Sequence, residues 1–203
     1  MYILGLTGSI GMGKSVAAQN FRRFGVPVFD ADAAVHELTG RGGAAVAAVD
    51  AAFPGVVKDG AVDRRALGAK VFDDTAALRR LERILHPLVR QAQRKFLQRA
   101  RMGREKLVVL DIPLLFESGG DRLCDGVAVV SAPGFIQRQR VLARAGMTEE
   151  KFQAILARQM PDVAKRRRAD FVIPTGYGFG FSLRRIRKLI TMLRRSPTAS
   201  TGS

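Results

Sequence analysis

The chain has 203 residues, 47% hydrophobic and 26% charged, which suits one compact domain or one carrying an insertion, and excludes wholesale disorder and a multidomain machine. Its 34 Lys and Arg against 18 Asp and Glu leave a formal charge of +16, which points to an anionic partner without choosing among nucleotide, nucleic acid, membrane surface and polyphosphate. Cys124 is the only cysteine, so an intrachain disulfide and a Cys-rich zinc site are both excluded, and the thiol reads as a small buried apolar group.

The first β-rich run, residues 2–7, gives way to glycines where an export signal would continue as an apolar region with a cleavage site. No stretch of roughly twenty apolar residues occurs, so nothing is expected to span a bilayer and a cytoplasmic setting follows. Directly after that strand, Gly8-Ser9-Ile10-Gly11-Met12-Gly13-Lys14-Ser15 matches GxxxxGK[ST], and residues 16–24 can begin a helix. Glycines let the main chain curl so that N–H groups face phosphate oxygens, and the helix adds its positive end. Lys14 is placed to neutralise β/γ oxygens and the Ser15 hydroxyl to hold Mg²⁺. A glycine turn that binds nothing is the plainer alternative, and the strand before it and helix after it argue against that.

A second strand is expected over 26–29, followed by Asp30-Ala31-Asp32 at the sheet edge that carries the glycine turn. One carboxylate could take a proton from an attacking hydroxyl while the other caps the next helix, and the pattern leaves open whether Asp32 is base or cap. The stretch of roughly 75 residues before the third strand is too long for one crossover, so it is expected to hold a helical insertion. Leu78, Leu81 and Leu85, then Leu88, Ala92 and Phe96, carry helical spacing there, and Pro87 is expected to start a second helix. His86 could pack or cap, and with only His36 for company it makes no histidine metal site.

Residues 107–110 form a strand apolar on both faces and end at Asp111, where a second carboxylate would meet Mg²⁺ directly or through water. Pro113 to Glu117 follow as a candidate acceptor wall. After a strand at 127–131, residues 133–168 are basic and helical in pattern and include the run Lys165, Arg166, Arg167, Arg168. Gln137, Arg140 and Arg144 would share one helix face, either as a cationic lid over phosphates or as a solvated surface. A last strand at 171–173 precedes a helix from about residue 181, with Leu183, Ile186, Leu189, Ile190 and Leu193 on its packing face and arginines opposite. Strands alternating with helices imply an α/β fold with a parallel sheet covered on both faces.

Taken in order, these segments resemble the dephospho-coenzyme A kinase family of the P-loop nucleotide and nucleoside kinase group. The resemblance runs from Leu6-Thr7-Gly8 through Asp30-Ala31-Asp32, Asp63-Arg64, Leu85-His86-Pro87, Pro113-Leu114-Leu115-Phe116-Glu117, Gln137, Arg140, Arg144 and Gln159-Met160 to Ala169-Asp170-Phe171-Val172-Ile173. It implies a three-layer P-loop NTPase fold with a five-stranded parallel sheet. The core would comprise 1–40, 104–132 and 169–196, the helical acceptor insertion 41–103, the basic helical lid 133–168, and a disordered tail 197–203. It also implies transfer of the ATP γ-phosphate, with Mg²⁺, to the ribose 3'-hydroxyl of dephospho-coenzyme A by a monomer with no membrane or specific nucleic-acid partner.

Carried over by motif, Asp32 would be the base, Thr7 and Lys14 would lie near the transferred phosphate, and Arg140 would be the lid arginine. ATP would lie against Gly8, Ser9, Gly11, Met12, Gly13, Lys14, Ser15 and Val16, with Arg140 and Arg144 above it. Ser15 and Asp111 would serve the metal. The acceptor would meet Asp32, Arg64, His86 and the loop of Pro113, Leu114, Leu115, Phe116 and Glu117. Ser9 replaces a usual glycine, and Pro174-Thr175 replaces a frequent Asp-Asn, leaving the backbone or Thr175 to substitute there. A kinase for another nucleoside or nucleotide lacks reason for the His-Pro and Pro-Leu-Leu-Phe-Glu combination. A nucleic-acid-associated P-loop ATPase fits the charge but not an aromatic content of 7% without tryptophan.

Overall fold

In the computed structural model, which describes residues 1–72 and 74–195, the apolar runs become strands and the periodic segments helices. The tail expected over 197–203 lies outside the described residues. Strand β1 (Tyr2–Thr7) turns into α1 (Lys14–Arg23), and β2 (Val28–Asp30) leads into α2 (Ala31–Thr39) and α3 (Val46–Ala52). A ribbon of β3 (Val57–Lys58) and β4 (Ala61–Val62) precedes α4 (Arg64–Val71) and α5 (Thr75–Met102). After β5 (Leu107–Asp111) come β6 (Gly126–Ser131), α6 (Gly134–Leu142), α7 (Glu149–Ala157), α8 (Asp162–Arg168), β7 (Phe171–Pro174) and α9 (Phe179–Arg195).

The expected five-stranded parallel sheet is present in the order β2-β5-β1-β6-β7. From β1 the chain runs to the edge strand β2, fills the gap with β5, and then crosses β1 to add β6 and β7 on the other side, so the connections leaving β1 and β5 run in opposite directions and the order reverses between these two strands. Ligands of open α/β sheets bind at the carboxyl ends of strands at such a reversal. Pairing of Leu6 with Asp111 and of Thr7 with Val129 brings the ends of β5 and β6 beside the glycine turn. β2 starts two residues later than expected, because the Val26 N–H donates to the Phe21 carbonyl at 3.1 Å in the turn that closes α1.

Period-2 alternation divides the sheet into two cores. Leu4, Leu6, Ala128 and Val130 meet Phe21 of α1 and Ile186, Ile190 and Leu193 of α9. On the other face Val127 and Val129 meet Leu115 and Phe116, with Cys124, Met160 and Ala169 against them. The packing face of α9 is as expected, with Ile186, Leu189, Ile190 and Leu193 buried and Leu183 at its margin.

The helix boundary expected at Pro87 is not there: α5 continues through it for 28 residues. Proline removes one amide donor and crowds the carbonyl four residues back. Arg83 and Pro87 are both exposed, so water can take the carbonyl that loses its partner, while Leu81, Ile84, Leu85 and Leu88 keep one continuous packing face.

The chain separates into two compact units. One comprises Met1–Phe29 and the described residues from Ala100 onward; the other is Asp30–Arg99, with its own core of Val49, Phe53, Val56, Leu67 and Leu81. The division places α2, expected with the core as part of residues 1–40, with the insertion, and α6 to α8 with the sheet. No helix of the described residues is long and apolar enough to cross a membrane.

Cys124 is half-buried in the second core face, and its thiol approaches the Gly120 carbonyl at 3.7 Å. Burial, helped by the Asp121 and Asp125 charges, pushes its pKa up to about 12. Since the thiolate is the reactive form, native Cys124 is expected to react with a thiol reagent at pH 8 roughly a thousandfold more slowly than in urea-unfolded protein. Equal rates in the two states would contradict the burial.

Candidate functional site

The glycine turn holds its shape through two left-handed residues, Gly11 at φ 75° and Gly13 at φ 89°, which side chains disfavour. α1 begins directly after Gly13 with no side-chain cap, so the first-turn N–H groups and the helix dipole face whatever lies at the turn. Lys14 donates to Asp111 Oδ1 at 2.7 Å, and the two side chains are only 15% and 3% exposed. The predicted Lys14 and Asp111 are thus brought together, while Ser15 and Val16 are exposed on the first turn. Thr7 is fully buried and donates its hydroxyl proton to the Pro113 carbonyl at 2.8 Å, so in this structure it ties β1 to the loop after β5.

Side chains from three later segments hold the turn's main chain. Gln137 Nε2 donates to the Ile10 carbonyl at 2.8 Å, and Gln159 Oε1 accepts the Ile10 N–H at 3.1 Å. Thr175 donates its hydroxyl to the Met12 carbonyl at 2.7 Å. Arg140 donates to Thr175 O at 2.8 Å and Thr175 Oγ1 at 3.2 Å, and makes a longer 3.5 Å approach to Gly11 O. Met12 is buried with its sulfur accepting the Ala132 N–H at 3.0 Å.

One expectation changes here. The single face shared by Gln137, Arg140 and Arg144 does not exist, because α6 ends at Leu142 and Arg144 lies in the exposed turn beyond it. Arg140, the expected lid arginine, lies beside the glycine turn and is tied to Thr175. Sequence spacing does not reveal the contacts of Thr175 and Gln159 with the glycine turn, whose partners lie 163 and 149 residues away. The hints available are that Gln159-Met160 is among the segments that carry the resemblance and that Thr175 stands where the family frequently has another residue.

The loop expected to line the acceptor is largely a support. Leu115 and Phe116 are buried at 0% and 6% exposure, so their side chains build core, and Leu114 is the exposed one at 42%. Glu117 lies 2.9 Å from Lys165 Nζ and accepts the Met160 N–H at 2.8 Å. Burial alone would raise the Glu117 pKa, but the Lys165 ammonium and the Met160 amide outweigh it and hold the carboxyl below the ordinary glutamate range. The basic run is solvated only in part: Arg166 and Arg167 are exposed, but Lys165 is fully buried, and Arg168, itself exposed, pairs with Asp121 at 2.9 Å and lies over the Phe116 ring. Burial within a run of like residues leaves no mark on composition.

In the second unit, Asp30 caps α2 by accepting the Ala33 N–H at 3.0 Å, which answers which carboxylate is the cap. Asp32 sits exposed in the first turn of α2. The exposed Arg64 guanidinium contacts His36 Nδ1, bringing α4 and α2 together. His86 lines an open groove on α5 with Arg79, Glu82 and Arg83.

The dephospho-CoA kinase family model matches residues 2–177. A dephospho-CoA kinase of Paramagnetospirillum magneticum is 67% identical over 203 residues, covering 100% of this chain and 96% of that protein. Among solved structures, TT1252 from Thermus thermophilus superposes with a TM-score of 0.82 at 37% identity, covering 94% of this chain and 96% of its own. Dephospho-CoA kinase from Campylobacter jejuni shares the fold, with a TM-score of 0.67 at 23% identity over 96% of this chain and 98% of its own.

The Glu117–Lys165 pair generates a pH test. A lowered carboxyl pKa contributes stability above the unfolded value, near pH ~4.3, and loses it as pH falls through the folded pKa. Glu117→Gln is expected to lower urea-denaturation stability by about 3 kcal/mol at neutral pH, because it leaves a buried ammonium without its anion. The gap to wild type should close below about pH 4, and a gap constant with pH would exclude the pair as its source.

Proposed function

The chain belongs to the dephospho-coenzyme A kinase family, and on that footing we propose that it transfers the γ-phosphoryl group of ATP to the ribose 3'-hydroxyl of dephospho-coenzyme A, giving coenzyme A and ADP. The observation that carries the nucleotide half is the uncapped start of α1 after Gly13, with Lys14 beside Asp111. Such a transfer needs positioning and charge stabilisation more than covalent chemistry from the protein. N–H groups of the glycine turn bind the phosphates, and Lys14 exchanges its contact with Asp111 for phosphate oxygens as the anion arrives. Arg140 supplies positive charge from α6.

Ser15 and Asp111 offer a hydroxyl and a carboxylate, the hard oxygen donors that suit Mg²⁺, which keeps most of its shell as water and phosphate oxygen. When bound, the ion neutralises phosphate charge. Asp32 takes the proton of the 3'-hydroxyl as that oxygen bonds to the γ-phosphorus and the bond to ADP breaks. One feature supports Asp32 in this role: Asp30 already provides the cap of α2, which leaves the exposed Asp32 carboxylate for another task. Arg64 and the groove holding His86, Arg79 and Arg83 present the positive charge that an acceptor carrying several phosphates requires. In the loop Pro113 to Glu117, Leu114 is the side chain exposed for apolar contact, while Leu115 and Phe116 build core and Glu117 pairs with Lys165. The enzyme acts on these two small molecules as a cytoplasmic monomer, its α6 to α8 segment working as the lid.

ADP release with ATP, Mg²⁺ and separate acceptors is expected to depend on dephospho-coenzyme A, with one phosphate added by mass. Turnover only with AMP, CMP, adenosine or single-stranded nucleic acid would overturn the acceptor assignment. Asp32→Asn is expected to retain ATP affinity and lose roughly 10² to 10⁴ in turnover; unchanged turnover would remove Asp32 as the base.

A further inference from the structure

A peptide that binds an anion must turn its N–H toward the ligand, and in a trans planar peptide this sends the preceding carbonyl the opposite way. None of the described peptide bonds is cis. The direction of each N–H in the glycine turn is therefore set by whatever holds the carbonyl of the residue before it. Gln137 holds the Ile10 carbonyl at 2.8 Å, which fixes the Gly11 N–H, and Thr175 holds the Met12 carbonyl at 2.7 Å, which fixes the Gly13 N–H. Neither of those two N–H groups meets an acceptor among the described residues. The intervening Met12 N–H instead closes the turn onto Ser9 O at 3.2 Å.

Both holding side chains are themselves braced. Gln137 is buried at 7% exposure, and the Ile10 peptide it grips is held on its N–H by Gln159. Thr175 receives two Arg140 contacts and follows β7 directly. Left to itself, a glycine-rich turn with so few side chains has every freedom to flip these peptides and present carbonyl oxygens to the anion.

We propose that Gln137 and Thr175 are positioning residues for phosphoryl transfer, which hold the Ile10 and Met12 carbonyls outward and so aim the Gly11 and Gly13 N–H groups at the nucleotide phosphates. The proposal rests on the glycine turn being the ATP site. It gives Thr175 a function that needs its hydroxyl, and it makes Gln137 and Thr175 part of the phosphate cradle without either side chain touching the ligand.

Thr175→Val keeps the branched shape and removes the hydroxyl, Thr175→Ser keeps the hydroxyl, and Gln137→Met keeps length and removes the amide donor. MgATP and MgADP affinities are measured by calorimetry, together with KM for ATP and for dephospho-coenzyme A. Thr175→Val and Gln137→Met are each expected to weaken nucleotide binding roughly tenfold, as one buried hydrogen bond allows, and to leave the acceptor KM within about twofold. Thr175→Ser is expected to restore nucleotide affinity. Unchanged nucleotide affinity in both variants would overturn the proposal. So would equal losses for ATP and acceptor, or a Thr175→Ser as impaired as Thr175→Val, since either marks simple packing. If Thr175→Val does not fold, Gln137→Met decides by the same nucleotide-against-acceptor comparison. A wild-type chain that binds no MgATP would overturn the ATP-site reading and this proposal with it, whereas wild-type binding matched by both variants overturns this proposal alone.

Discussion

A main chain can cradle an anion only if its carbonyls are engaged elsewhere, and much of this structure follows from where those carbonyls go. The glycine turn after β1 is poor in side chains and cannot brace itself. Bonds from Gln137, Thr175 and Gln159 supply the bracing from α6, the end of β7 and the turn after α7. The parallel sheet makes that convergence possible, because β1 lies beside β6 and β6 beside β7, so the segments leaving those strands emerge at one edge.

The same segments are tied to the loop after β5. Gln159 reaches the Ile10 amide while the next residue, Met160, gives its N–H to Glu117, whose other neighbour is the buried Lys165. A buried charge pair is a poor source of net stability compared with apolar packing, but it is costly to break once made. Its value here is geometric: the α7–α8 turn meets the Glu117 carboxylate through Met160 and the Ile10 amide through Gln159, so adjacent residues tie it at two points. Thr7 closes the circuit by holding the Pro113 carbonyl at the start of the same loop.

The strands and the glycine turn were legible because their signals are local. β5 and β6 are apolar on both faces, a pattern that only a covered central strand explains, and the motif carries its own spacing. What stayed hidden depends on partners far along the chain. Lys165 looks like its arginine neighbours until Glu117 is placed beside it, and Thr175 looks like any loop threonine until Met12 lies 2.7 Å away. Pro87 misleads for another reason: its local preference is real, and a continuous apolar face overrides it. Local pattern leaves Asp30 and Asp32 undecided because aspartate suits both tasks, and the Ala33 N–H identifies Asp30 as the cap.

The basic excess divides along the same line between placed charge and field. Lys14, Lys165 and Arg168 each have a defined carboxylate partner, and Arg194 donates to the Phe24 and Gly25 carbonyls. Most of the remainder of α9, including Arg184, Arg185, Arg187 and Lys188, is simply exposed on the face away from the sheet. Charges in solvent are screened over about 10 Å at 0.1 M salt, so they add little to an interaction at the glycine turn. Their summed potential still acts on approach, where it raises the encounter rate of anionic substrates in a salt-dependent way. Binding strength at the turn therefore belongs to a few oriented groups, and exposed charge of the kind that α9 carries can act on an anion only through the screened field it meets on approach.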